Sequence, residues 1–142
     1  MNNCFVYKTL ARLENPACSF AYVGENGEIT SDKKGIRRLL ELADTGADLS
    51  RGFVADRVIG KAAALLMVLL GAKRAYGETV SRAALDAFEM HGVAVSYRYL
   101  VPYIINRAGD GMCPMERTVW ETDSPEEAYE LLHEKMKQMK IS

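Results

Sequence analysis

The chain has 142 residues, a length that favours a single domain spanning residues 1–142. Apolar residues make up 49% and charged residues 26%, which is typical of a globular protein and excludes a disordered one. The 18 basic and 19 acidic residues nearly cancel, so the basic excess of a dedicated nucleic-acid-binding protein is absent.

The first third of the chain predicts a helix, a hairpin and a second helix. Apolar residues at helical spacing place the first helix at Asn3–Glu14, ended by Asn15-Pro16. Cys18–Val23 and Glu28–Ser31 can pair across a Glu25-Asn26-Gly27 turn. Lys34–Ala43 carries apolar residues at the spacing of an amphipathic helix.

A third helix is predicted from Asp56 to Leu70. Almost every residue from Val58 onward is apolar, so we expect this helix to be buried on all sides. Gly71 is the expected C-terminal cap.

The following segment predicts a parallel crossover. Lys73–Val80 and Val93–Tyr97 are predicted strands, and the helix between them starts at a Ser81 cap and ends at Met90, before His91-Gly92. Tyr99–Asn106 is predicted as a short helix.

The C-terminal third ends in an amphipathic helix over residues 124–139. Pro114 to about Glu121 predicts one or two helical turns before it. Ser124, Pro125 and Glu127 form the start signal and capping box of the last helix. Its expected core-facing stripe consists of Ala128, Leu131, Leu132, Met136 and Met139.

These elements together predict an α/β fold. A mixed sheet with an N-terminal hairpin, a parallel strand–helix–strand unit and helices on both faces gives a three-layer α/β/α sandwich.

Cysteine usage and hydropathy bear on location. The chain has three cysteines and two histidines, too dispersed for a short-spaced zinc motif or a disulfide scaffold, and this fits a cytoplasmic protein. Met1–Phe5 lacks the pattern of a signal peptide. Ala62–Ala72, the longest uncharged stretch, is about half of the roughly 20 residues that a membrane span needs.

Three runs carry a resemblance to a known superfamily: Gly52–Ala64, Tyr103–Arg107 and Gly111–Glu116. The chain resembles the cytidine-deaminase-like superfamily, and within it a family of small bacterial and archaeal proteins. The resemblance covers the region from the hairpin to about Glu121. It implies a cytidine-deaminase-like sandwich with a pocket at the N-termini of two helices.

The resemblance also indicates where a zinc ion would be bound. Zinc deaminases carry a His-x-Glu or Cys-x-Glu motif at one helix start and Pro-Cys-x-x-Cys at another. The corresponding positions here are Val54–Asp56 and Val80–Ala84. Val54 and Ala84 cannot ligate zinc, and Ser81 is a poor substitute for a thiolate. We therefore expect no metal, no other cofactor and no standard zinc-dependent deaminase.

The predicted start of the third helix holds the first candidate residues. Asp56 is expected either to cap this helix or to act in catalysis. Lys61 interrupts an apolar helix, so it either reaches the surface or serves a site. Arg57 lies four residues before Lys61 and could complete an anion pocket, and Gly60 would allow a ligand to approach closely.

Cys113 is the second candidate. It precedes Pro114 at a predicted helix start, where the pKa of a thiol is lowered, and Lys61 or Arg107 could assist it. The alternative is a small residue that packs in the core.

Further candidates contribute to binding a ligand. Arg107 could hold a phosphate or carboxylate or form a structural ion pair. Glu78 and Ser81 lie at the end of a predicted central strand, where open α/β sheets bind ligands. Asn106 and Glu116 lie in the neighbouring segments. The chain also carries Tyr97, Tyr99 and Tyr103, which could stack on a base but are more typical of interface or core packing.

Three functions follow, and the residues leave open whether the chain is an enzyme. The leading hypothesis is a module that binds a nucleotide or another small anionic metabolite. One alternative is a divergent enzyme with Cys113 as nucleophile or sulfur carrier, and the other is a structural or interaction protein with a vestigial pocket. Deaminase-like domains commonly associate, so we expect a homo-oligomer without nucleic-acid or membrane partners.

Overall fold

The computed structural model describes residues 3–141, so Met1 and Asn2 of the segment tested for a signal peptide lie outside it. These residues form, in chain order, α1 (Asn3–Leu13), β1 (Phe20–Gly24), β2 (Gly27–Ser31), α2 (Arg37–Asp44), β3 (Gly52–Ile59), α3 (Lys61–Leu69), β4 (Arg74–Ser81), α4 (Arg82–Met90), β5 (Ala94–Val101), α5 (Pro114–Thr118) and α6 (Pro125–Ile141).

The strands build one mixed sheet in the order β2-β1-β3-β4-β5. β1 is antiparallel to both β2 and β3, whereas β3, β4 and β5 are parallel. The predicted hairpin and the predicted parallel crossover around α4 are therefore confirmed, and the fold belongs to the α/β class.

Helices pack on both faces of this sheet. On one face, α1 covers β1 and β3 through Leu13, Ala21, Phe53 and Ala55. The alternate residues of the same strands, such as Phe20, Tyr22 and Val54, point into a larger core with α2, α3, α4 and α6. This larger core places the N-termini of α3 and α4 beside each other at one end of the sheet.

The prediction of a helix from Asp56 was wrong, because Gly52–Ile59 is the strand β3. Its first five residues are buried between two neighbouring strands and beneath helices on both faces, so the sequence shows no alternation of polar and apolar residues. The buried helix is shorter than expected, since it begins only at Lys61, after the extended residue Gly60.

The predicted helix Tyr99–Asn106 was also wrong. β5 continues to Val101, and an irregular segment follows, in which Ile105 forms an isolated bridge with Met112. β5 is the sheet edge and is largely exposed on both faces, so its apolar residues do not show which face would be buried.

The caps of the later helices agree with their sequence signals. Ser81 Oγ accepts a hydrogen bond from the N–H of Ala84, and Ser124 Oγ accepts one from that of Glu127. Gly71 and Gly92 follow their helices with positive φ angles. In α6, Ala128 and Leu132 are buried, but Leu131 and Met139 of the predicted stripe are exposed.

No helix within residues 3–141 combines the length and apolar content that crossing a membrane requires.

Candidate functional site

The candidate site lies where the parallel strands β3 and β4 end and α3 and α4 begin. Ser81 is both the last residue of β4 and the N-cap of α4, and Gly60 is the N-cap of α3. This end of an open α/β sheet is the usual location of ligand sites, because helix N-termini direct unpaired N–H groups towards it.

The carboxylate of Glu116 occupies the position between these two helix starts. Glu116 belongs to α5 and is only 1% exposed. Its Oε2 accepts hydrogen bonds from the backbone N–H of Lys61 at 2.6 Å and from Ser81 Oγ at 2.5 Å. Its Oε1 accepts one from the backbone N–H of Ile104 at 2.7 Å. One side chain thus joins β4, α3, α5 and the segment after β5, and its negative charge lies at the positive end of α3.

Gly60 makes room for this carboxylate. A Cβ atom at Gly60 would lie 3.0 Å from Oε2 of Glu116 and 3.0 Å from Cγ1 of Ile104. The close approach predicted for Gly60 is therefore made by a side chain of the protein itself.

The side-chain ammonium of Lys61 binds the segment that follows α5. The buried ammonium donates a hydrogen bond to the carbonyl of Trp120 at 2.8 Å and pairs with Asp123 Oδ1 at 3.2 Å. Both partners lie in the segment between α5 and α6, so the ammonium is paired there and fastens this segment to α3.

Cys113 lies at the start of α5, as predicted, and is partly buried. Its backbone N–H donates to the carbonyl of Ile104 at 2.7 Å, which holds the start of α5 against the segment after β5. α5 itself has only five residues. The Lys61 ammonium is bound by Trp120 and Asp123, so the described contacts do not join it to the Cys113 thiol.

Asp56 does not cap a helix, because it lies within β3, where Phe20 of β1 and Gly77 of β4 flank it. It is buried, and its Oδ1 accepts a hydrogen bond from the backbone N–H of Arg57 at 2.8 Å. Burial raises the pKa of Asp56 to about 8, against the opposing effect of the hydrogen bonds from Arg57 and Val58. Asp56 is therefore largely protonated at neutral pH.

Arg57 links the end of α1 to the sheet through hydrogen bonds. Its Nη2 donates to the carbonyls of Leu13 at 2.6 Å and Asn15 at 3.0 Å, and its Nε donates to that of Cys18 at 2.9 Å. Its Nη1 pairs with Glu78 Oε2 at 3.4 Å. The predicted helix face shared by Arg57 and Lys61 was wrong, since Arg57 lies in β3.

We expect Arg57→Lys to lower the free energy of unfolding by about 1–3 kcal/mol, because an ammonium cannot replace the planar fork that binds three carbonyls. Urea unfolding measures this loss. Arg12→Lys is the matched control: Arg12 pairs with Glu28 on the surface, and we expect a loss of less than about 1 kcal/mol. Equal losses in the two variants would contradict the role of Arg57.

The remaining ligand candidates lie in the loop before α5. Asn106 exchanges two hydrogen bonds with Asp110, from its Nδ2 at 2.9 Å and to its Oδ1 at 3.2 Å, and so stabilises a turn. Arg107 is exposed and forms no ion pair with any residue of the described chain.

The structure thus brings together Gly60, Lys61, Ser81 and Glu116, and leaves Asp56, Arg57, Glu78, Asn106 and Arg107 outside this cluster. Sequence reasoning did not identify Ile104, Trp120 or Asp123 as contributors, since backbone groups and a loop carboxylate leave no local pattern. At the surface, His133 Nε2 lies 2.6 Å from Asp44 Oδ1. No group of three or more His, Cys, Asp or Glu residues within 3–141 is arranged to hold a metal ion.

Comparison with known proteins identifies a family and a similar solved structure. The family profile described as TM1506, domain of unknown function (DUF1893), matches residues 8–136. The crystal structure of a DUF1893 family protein (TM1506) from Thermotoga maritima is similar, with a TM-score of 0.87 and 25% sequence identity over 95% of this chain and 92% of that one. No curated protein matches the sequence. Because the profile spans most of the chain and a structure of the same family shares its fold, this protein belongs to the DUF1893 family.

Proposed function

We propose that this protein is a non-catalytic domain of the cytidine-deaminase-like superfamily, which acts through its surface as an interaction module and not through a pocket. The observation that supports this is the Glu116 carboxylate at the start of α3. A ligand's anionic group would use the same N–H and hydroxyl donors, and the chain supplies that anion itself.

The residues at the two helix starts do not fit a catalytic zinc ion. In the proposed superfamily, the zinc ligands would fall at the start of α3, at Gly60–Ala63, and not at Val54–Asp56 as the sequence alone led us to expect. The second set would fall at Ser81–Ala84. Neither run contains the cysteine or histidine that such a site requires, and the first contains a lysine.

The two other hypotheses have less support from the geometry. At the starts of α3 and α4, binding of a nucleotide or another small anionic metabolite would require displacement of Glu116, and Arg57 and Asn106 are already bonded within the chain. Cys113 as nucleophile or sulfur carrier would need an activating partner, and Lys61 is paired with Trp120 and Asp123 instead.

The test is a thermal-shift screen of the tag-free protein with ribonucleotides, deoxyribonucleotides, phosphorylated sugars and zinc. We expect no shift, whereas a ligand at 100 times its dissociation constant would add about 2.7 kcal/mol of stability. A reproducible shift by one nucleotide would overturn the proposal, as would stoichiometric zinc in the purified protein. The variant Glu116→Ala, which removes the carboxylate from the donors at the starts of α3 and α4, serves as the comparison for each compound.

A further inference from the structure

The outer edge of β5 is unprotected. β5 is eight residues long and terminates the sheet beyond β4, and no other strand of the described chain pairs with it. All its residues are exposed except Val95 and Val101, which are partly so. A strand at a sheet edge presents a row of unpaired N–H and C=O groups, which is a template for another strand.

The side chains on and after β5 are unusually apolar for such an edge. Tyr97, Tyr99, Leu100, Tyr103 and Ile105 are between 39% and 62% exposed. Arg98 provides the only charge of the strand, and its guanidinium lies 5.2 Å from the ring centre of Tyr99. β5 contains no lysine, glutamate or proline, the residues that commonly prevent edge pairing. The opposite edge, β2, has only five residues and includes Glu28, which pairs with Arg12.

We propose that β5 pairs with β5 of a second copy, antiparallel and about a twofold axis perpendicular to the sheet, so that two five-stranded sheets become continuous. This names the partner of the proposed interaction module and rests on that function. A second copy is the fitting occupant because the twofold axis supplies the same backbone donors, acceptors and apolar side chains from both sides.

The charge on β5 excludes one register and is compatible with a register centred on Tyr99. Residues directly opposite across such an axis point to the same sheet face. A register centred on Arg98 would place two like charges opposite each other, which is destabilising. A register centred on Tyr99 pairs this residue with its own copy and sets Arg98 opposite Leu100, which keeps the two guanidinium groups apart.

The apolar side chains supply about half of the area that a small dimer needs. With 150–250 Å² for each large side chain, the exposed parts of the five apolar residues amount to roughly 400 Å². A standard interface buries about 800 Å² per partner, and the backbone of β5 with Arg98 and Ser96 can supply the remainder.

The test is a charge swap at Tyr99 in the full-length protein, read by size-exclusion chromatography with light scattering. We expect the wild type to be dimeric. Tyr99→Lys and Tyr99→Glu each place like charges on the axis, so we expect the dissociation constant to rise about tenfold or more. An equimolar mixture of the two variants restores a dimer, and native mass spectrometry of differently tagged variants identifies it as mixed. Tyr7→Lys, on α1 and 73% exposed, leaves the dimer intact.

A monomeric wild type would overturn the pairing, as would a dimer that persists in Tyr99→Glu or variants that fail to pair when mixed. Circular dichroism at rising temperature shows that each variant is folded. These outcomes are separate from those of the ligand screen. If the wild type is monomeric and no compound shifts its unfolding temperature, only the β5 pairing is overturned. If it is dimeric and binds a nucleotide or zinc, only the proposal that Glu116 occupies the site in place of a ligand is overturned.

Discussion

Replacing Glu116 with alanine should lower the free energy of unfolding by about 3–5 kcal/mol, because a buried donor left unpaired costs about 1–3 kcal/mol and three donors lose their acceptor. These donors are the N–H groups of Lys61 and Ile104 and the hydroxyl of Ser81. Glu116→Gln should cost less, about 2–3 kcal/mol, because one oxygen acceptor remains while the amide N–H₂ faces another donor. Urea unfolding at neutral pH measures both losses.

Three further variants separate the bonds to Glu116 from a general effect of losing a glutamate. Ser81→Ala should cost about 1–2 kcal/mol, since the hydroxyl also caps α4. Combined with Glu116→Ala it should be clearly non-additive, because the two side chains share one bond. Glu89→Ala, on the exposed side of α4, should change stability by less than about 0.5 kcal/mol. A loss of unfolding free energy for Glu116→Ala as small as that for Glu89→Ala would show that the hydrogen bonds of Glu116 do not stabilise the site.

Formate tests whether the space left by the Glu116 carboxylate in Glu116→Ala is specific for an anion. In Glu116→Ala the N–H of Lys61, the N–H of Ile104 and the hydroxyl of Ser81 would surround a space of carboxylate size at the start of α3. We expect formate to stabilise this variant in a concentration-dependent way and to leave the wild type unchanged, with chloride as the ionic-strength control. Equal stabilisation of both proteins by formate would point to a general salt effect.

Local chemistry allowed parts of the fold to be predicted. The Ser81 and Ser124 caps and the glycine after α3 satisfy backbone groups within a few residues, so a short sequence pattern is sufficient to identify them. β3 was mistaken for a helix because a strand buried on both faces lacks alternation and runs directly into an apolar helix.

The candidate site shows the limit of this reasoning. The sequence predicts Glu116 and Ser81 to be ligand-binding residues from their neighbourhood, yet their partners are each other and three backbone N–H groups. The hydrogen bonds of Glu116 span 12, 35 and 55 residues of sequence. No periodicity or spacing encodes such contacts, because they depend on where the segment after β5 returns to the sheet. That a buried ammonium needs a partner could be predicted for Lys61, but its specific partner Trp120 could not.

Asp56 should make the protein less stable as the pH rises from about 4 to about 8. Its pKa is about 8 in the folded protein, because burial disfavours the carboxylate, and near 3.9 in an unfolded chain. The folded state therefore binds the proton more tightly. The stability that this provides is complete below about pH 4 and is lost as the pH rises through 8, with a total on the order of 5 kcal/mol. The side chain of Asp56→Asn is neutral at every pH and keeps an oxygen that can accept the N–H of Arg57.

The variant and the wild type should therefore differ in stability by less than about 1 kcal/mol at pH 4, with Asp56→Asn the more stable by several kcal/mol at pH 8. Urea unfolding of both proteins between pH 4 and pH 9 measures this difference. Asp44 and Asp48, whose pKa values are lowered by hydrogen bonds, change the stability of both proteins equally and cancel. Asp86→Asn, at an exposed pair with Arg82, is the control and should show no growing advantage towards pH 8. An Asp56→Asn difference that stays constant across this range would mean that the carboxylate is already ionised in the folded protein, and β3 would then have to supply it with a partner beyond the N–H groups of Arg57 and Val58.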